Sequence, residues 1–247
     1  MPMSARACVT RRTLPIRVRS LAAVHPVGRL LSDAAAGRYP PADGGWHRLP
    51  QWRSGLSAVL AFTGHAVFAV DDRVSDDTLA ALGADGLGGA SDPRLVTALA
   101  GPTGWIDSLD LVLVTSGVPG TTRLVRRPER AAHPRVRHAT AVRDDVEGWG
   151  TATGSDGADA VVTPGTGMGG LAEMSLELPP KLRGRGLGRE LIMQTRYGYR
   201  PGRRLWPRWR PATPQACVPS WARVSARSAA FSSSGPGRRD RPNAILT

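Results

Sequence analysis

Cysteine and lysine are scarce in this chain, and its two ends hold a single acidic residue between them. The 247 residues include two Cys, Cys8 and Cys217, and one Lys, Lys181. Two distant Cys exclude a disulfide scaffold and a four-Cys zinc site, and they fit a reducing cytoplasm. No apolar run approaches the roughly 18–20 residues of a membrane-spanning helix, so a membrane partner is not expected. Arg17 and Arg19 interrupt the stretch where a signal peptide would carry its apolar segment, which argues against export.

The formal net charge is +13, and it is unevenly placed. Residues 1–30 hold six Arg and no acid, and residues 191–247 hold eleven Arg against Asp240 alone. The stretch between them is mildly acidic, as in an ordinary globular protein. A basic tail with Trp206, Trp209 and Trp221 could bind nucleic acid, Arg neutralising phosphate and Trp stacking on bases. The competing reading is that these ends do not belong to the evolved protein, and it leaves nucleic acid disfavoured as a partner.

Capping and turn residues divide the middle of the chain. Leu30 to Ala36 predicts a short helix stopped by Gly37. Ser57 to Val70 is rich in β-forming residues and is divided into two strands at Thr63-Gly64-His65. Ser75-Asp76-Asp77 opens a helix through Leu82, with Gly83 as its stop, and Ser91-Asp92-Pro93 opens another through Ala100. Leu109 to Thr115 predicts a buried strand, and 116–132 a Pro/Arg-rich loop. Pro134 to Val142 predicts a helix. Residues 145–153 and 158–163 predict a hairpin turning at Ser155-Asp156-Gly157. Leu171 to Leu178 alternates: Glu173, Ser175 and Glu177 fall on one face, Ala172, Met174, Leu176 and Leu178 on the other. His133 and His138 suit loop or capping roles, and His65 a structural one.

Chemistry concentrates just after that last strand. Arg183, Gly184, Arg185, Gly186, Leu187, Gly188 and Arg189 lie between it and a helix beginning near Leu191. Glycines there let backbone N–H groups turn inward as a nest, the helix start adds its positive dipole end, and the arginines add charge. Together they suit a pyrophosphate. No Gly completes G-x-G-x-x-G, and no Lys-Ser/Thr follows, so neither a dinucleotide fingerprint nor a P-loop is present.

The run LELPPKLRGRGLGREL, with Arg183-x-x-Gly186-x-Gly188 between strand and helix, resembles the acetyl-CoA-binding motif of the GNAT N-acetyltransferase superfamily. The resemblance covers residues 133–206. It implies an α+β fold with α/β-type layers: a mixed, mainly antiparallel sheet flanked by helices, here with an N-terminal α/β extension; the composition after Trp206 adds the expectation of a disordered C-terminal tail. The expected divisions are a basic disordered leader (1–26), the extension (27–130), the acetyl-CoA-binding core (131–206) and an Arg/Pro/Ser-rich tail (207–247). The resemblance further implies acetyl-CoA as co-substrate without a metal, and a small-molecule or peptide amine as substrate. A homodimer is compatible with it. Backbone groups of Leu176, Glu177 and Leu178 would pair with the pantetheine arm, and N–H groups from Arg185 to Arg189 would hold the pyrophosphate. Glu173 and Glu177 are the carboxylates placed to act as base. A catalytically impaired acyl-CoA-binding protein is the alternative.

The resemblance breaks after Trp206. The family continues with a strand, an Asn, a Ser and F-x-x-x-G-F; the chain continues with Pro, Arg, Ser and Trp in no period. Codons for Trp206 to Ala229 can be chosen so that, regrouped one base earlier, they read WAQVATGNAASVRSFLGTGFRPVG; the first two bases of each are fixed by the residues given and the third bases are free. Loss of one base in a G-run after the Trp206 codon accounts for the change.

Overall fold

The fold is described from a computed structural model, for residue 16 and residues 25–107, 110–151, 160–209, 223–228 and 244–246. The helices at 76–81, 93–100 and 134–142 start at the expected caps, whereas the first starts at Pro26 rather than Leu30 and the last at Leu187 rather than near Leu191. Helix α1 (Pro26–Ala34) has His25 as N-cap and is followed by Gly37 at φ +81°. Strands β1 (Trp46–Pro50), β2 (Leu56–Phe62) and β3 (His65–Val70) come next. Thr63 and Gly64 turn β2 into β3, which pair antiparallel from Ala58 opposite Ala69 to Phe62 opposite His65. Helix α2 (Asp76–Ala81) is capped by the Ser75 hydroxyl, which accepts the Thr78 N–H at 3.1 Å. Helix α3 (Pro93–Ala100) is capped by Asp92, and its Pro93 occupies a position whose N–H would have no intrahelical partner.

Beyond them lie β4 (Trp105–Ile106), β5 (Asp110–Leu113), β6 (Thr115–Ser116), β7 (Val125–Arg126), α4 (Pro134–Val142), β8 (Trp149–Gly150), β9 (Val161–Thr166) and β10 (Ala172–Glu177). Helix α5 (Leu187–Gly198), β11 (Arg204–Trp209), β12 (Arg223–Ser228) and β13 (Ala244–Leu246) complete the order. The strands form two sheets. One runs β1-β3-β2-β13-β4, the other β12-β5-β11-β10-β9-β8-β7, with β6 also on β11. Most pairs are antiparallel; β10 with β11 is parallel. The fold is α+β.

Alternating side chains put each sheet between two apolar layers. On the first sheet, Ala66, Phe68 and Val70 pack under α2 and α3. Its other face, with Leu60, Val67 and Ala69, meets Val27 and Leu31 of α1 and Val112 and Trp206 of the second sheet. The second sheet's far face, with Val162, Met174 and Leu205, packs under Leu191 of α5. Among the described residues, no helix is long and apolar enough to cross a membrane.

Further expectations change. Of the strand expected over 145–153, the described residues form only Trp149–Gly150. Strands β5, β6 and β7, grouped by sequence with residues 27–130, pair into the second sheet, while β13 joins the first. Their partners are distant in sequence, and local pattern carries no trace of them. The 116–132 segment contains β7 rather than loop alone. In the tail, expected to lack regular structure, β12 pairs with β5 and β13 pairs with β2 and β4. Backbone N–H and C=O groups at a sheet edge pair with extended chain of almost any composition. In the leader, Ile16 is buried and its N–H donates to the Gly198 oxygen at 2.8 Å; most of the leader, like the 155–157 turn, lies outside the described residues.

Candidate functional site

Strand β10, the turn after it and the start of α5 form one continuous feature. On one edge β10 pairs with β9 along its whole length. On the other it pairs with β11 only at Glu173–Trp206 and Met174–Pro207, while β11 runs on, paired on its opposite edge with β5 at Arg208 and Trp209. Among the described residues, Ser175 to Leu178 therefore have no strand partner on that edge. The gap opens toward the C-terminal end of β10, where Leu176 and Leu178 are half-buried.

The chain then turns through Pro180–Leu182, anchored by buried Leu182. Gly184 and Gly186 sit at φ +74° and +79°, in the left-handed region, with open space where a Cβ would project. Gly186 is the N-cap of α5 and no side chain caps the helix. The N–H groups of Leu187, Gly188 and Arg189 thus point outward at the positive end of the helix dipole. Arg185 and Arg189 are exposed beside them. Arg183 instead turns back, its Nε donating to the Leu178 oxygen at 3.0 Å. Gln194 and Glu190 of α5 tie this helix to the preceding sheet through the Arg123 backbone and side chain.

The polar face of β10 is not solvated; α4 covers it. Arg143, just past α4 and 4% exposed, reaches the Thr163 oxygen at 3.1 Å, the Ser175 hydroxyl at 3.2 Å and the Glu173 carboxylate at 3.4 Å. Glu173 is itself buried, and its Oε2 accepts the Met168 N–H at 3.0 Å. Gly167 has no room for a side chain, because a Cβ would fall 1.5 Å from that oxygen. Glu173 is thus sealed into a structural network. Glu177, two residues on, remains 41% exposed in its side chain and is held at 3.1 Å by Arg135 of α4. The alternation of β10 was legible; that an arginine-bearing helix would cover its polar face was not.

His133 caps α4, its ring accepting the Arg135 N–H at 3.1 Å, and His138 lies 3.2 Å from Asp107. His65 joins a chain the sequence did not reveal. Its Nδ1 is 2.8 Å from Asp43 Oδ1 and its Nε2 is 2.9 Å from His47 Nδ1. A carboxylate only accepts, so His65 donates from Nδ1, accepts at Nε2, and leaves the lone pair of exposed His47 on Nε2. The His65 hydrogen bond, with help from the Gly45 N–H, holds Asp43 below the usual carboxylate range. Burial, and then the His65 charge, pull His47 below the usual imidazole value.

No family model, curated protein or solved structure matches the chain. Any functional reading therefore rests on the sequence motif and on this geometry.

Proposed function

We propose that the chain is a GNAT-type N-acetyltransferase, moving an acetyl group from acetyl-CoA to a primary amine of a small molecule or peptide. One observation carries the reading: β10 parts from β11 after Met174 and runs into a glycine-turned, uncapped helix start. A free strand edge suits the amides of a pantetheine arm, as in strand addition. Outward N–H groups at a helix N-terminus suit a diphosphate, with Arg185 and Arg189 adding charge. Leu176, Glu177 and Leu178 would line the arm, and Gly184 to Arg189 would hold the phosphates.

The acetyl thioester supplies the electrophile. The amine nitrogen attacks its carbonyl carbon, the C–S bond breaks, and the proton lost by the amine balances the one gained by the thiolate. The amine must be neutral to attack, so a base is needed. Glu177 fits that role because its carboxylate borders the gap; Glu173, held by Arg143, does not. Arg135 must swing aside for Glu177 to work. A cytoplasmic setting, where acetyl-CoA is made and used, belongs to the same reading.

That Arg135 contact also favours a second reading, an acyl-CoA-binding protein without turnover. Release of free thiol from acetyl-CoA, followed across a panel of amines, separates the two. Amine-dependent release, lowered about 10²-fold or more in Glu177→Gln, supports the enzyme. Cofactor binding without release for any amine supports the second reading, and absence of binding contradicts both.

A further inference from the structure

Pro207 stands where a sheet does not tolerate proline. Strand β11 is flanked on one edge by β10 and on the other by β6 and β5, and Pro207 is buried opposite Met174 in its centre. Proline cannot donate to a ladder and is otherwise confined to edges, strand starts and bulges. Leu205 and Trp206, on opposite faces, are 0% and 2% exposed and belong to different cores.

The pairing of β11, β5 and β12 poses a second difficulty. Both β11 and β12 run antiparallel to β5 and lie on either side of it, so they are parallel to each other. Parallel strands need a crossover of about a dozen residues, usually a helix. Residues 210–222 have the right length, but Pro211, Pro214 and Pro219 break any helical period there.

We infer that residues 207–229 of this chain are read one base out of phase, and that the neighbouring phase encodes the strand–helix–strand connection this sheet requires. Trp206 and Trp209 can only be UGG. With Pro207 written as CCC, Arg208 as AGG and Arg210 as CGN, one extra G turns UGG-CCC-AGG-UGG-CG into UGG-GCC-CAG-GUG-GCG, and the central strand continues as Ala-Gln-Val-Ala in place of Pro-Arg-Trp-Arg. In that phase, with the open first bases chosen, residues 213–222 read NAASVRSFLG. That is an Asn at a helix N-cap, apolar residues spaced as on one helical face, and a Gly stop. Positions 225–228, within β12, then read FRPV. In each regrouped codon the second and third bases are set by the residues given, apart from the alternative Arg and Ser codons; only the first base is free. With Ser220 as UCN, positions 217, 220 and 221 are apolar and position 222 is Gly whatever the open base, and the stretch fits between β11 and β12 with no gap introduced.

Strand pairing and the genetic code carry this inference whether or not the chain is an acetyltransferase.

The test compares the full chain, the same chain ended at Ala229, and residues 1–206 continued by AQVATGNAASVRSFLGTGFRPVG. Thermal melting and amide hydrogen exchange are read for all three. A Tm at least about 5 °C higher in the re-phased chain than in both others, with slower exchange at β5 and β11, supports the inference. An equal or lower Tm, or unchanged exchange at those strands, overturns it whatever the chain does with acetyl-CoA.

Discussion

Arg135 of α4 and Glu177 of β10 meet at 3.1 Å, so the open carboxylate nearest the gap is already answered by a cation of the chain itself. Both side chains are partly exposed, at 24% and 41%. Solvent screening therefore limits the pair to about 1 kcal/mol or less. Arg135→Ala should leave stability within that limit in urea unfolding. It should raise thiol release, because Glu177 no longer exchanges partners before meeting the amine. A loss of stability above about 2 kcal/mol would mean that the pair is a structural tie.

Glu173 and Arg143 behave differently because both are buried. Removing one partner strands the other charge, so Glu173→Ala should cost about 3–5 kcal/mol, measured by denaturant unfolding. Glu173→Gln keeps an acceptor for the Met168 N–H and should lose less, with turnover per folded molecule unchanged. Full stability of the alanine variant together with lost turnover would return Glu173 to the chemistry.

Gly167→Ala probes the same network from outside. The new Cβ would fall 1.5 Å from Glu173 Oε2, so the carboxylate must leave Arg143 or the backbone must shift. Tm should fall by several degrees, and the loss should shrink in a Glu173→Ala background, where the blocking oxygen is gone. Additive losses would place the strain elsewhere.

Acid should loosen the first sheet's helices through Asp71 and Asp92. Hydrogen bonds from Arg73 and Arg94 hold their carboxyls down at about 2. Folded values below the unfolded ones give stability that is complete above about pH 4 and is lost as pH falls toward 2. Asp92→Asn keeps the α3 cap but does not titrate, so its unfolding midpoint should vary less with pH across that window. An unchanged pH profile would show that Asp92 does not contribute.

The Asp43–His65–His47 chain has its own signature. His47 titrates below the ordinary imidazole value, and the Asp43 charge is what raises it. Asp43→Asn should lower His47 further, visible in ring proton shifts against pH. Because the folded His47 resists protonation, its contribution to stability falls as pH drops below about 6.5. A rise in the His47 value on Asp43→Asn would contradict the hydrogen-bond order.

What could be read from sequence was local. Pro134 to Val142 is a helix with those bounds because His133 caps it and Pro134 starts it; the β2–β3 hairpin follows from Thr63-Gly64. The glycine-rich turn and the faces of β10 were likewise written in neighbouring residues. The partners of β5, and the burial of Glu173 under Arg143, depend on contacts between residues dozens apart, and no periodicity records them. Arg143 resembles any surface arginine until α4 is laid across β10.

The most direct test of the proposed site is calorimetry of acetyl-CoA binding to the chain, to Gly186→Asp and to Gly202→Asp. Both glycines sit at φ +79° with open space around them, so either substitution brings the same backbone strain, but only Gly186 starts α5. Binding by the parent and Gly202→Asp chains, with affinity at least about tenfold weaker in Gly186→Asp, a change of about 1.4 kcal/mol, is the predicted result. Equal affinity in all three, or none in the parent, would contradict the account.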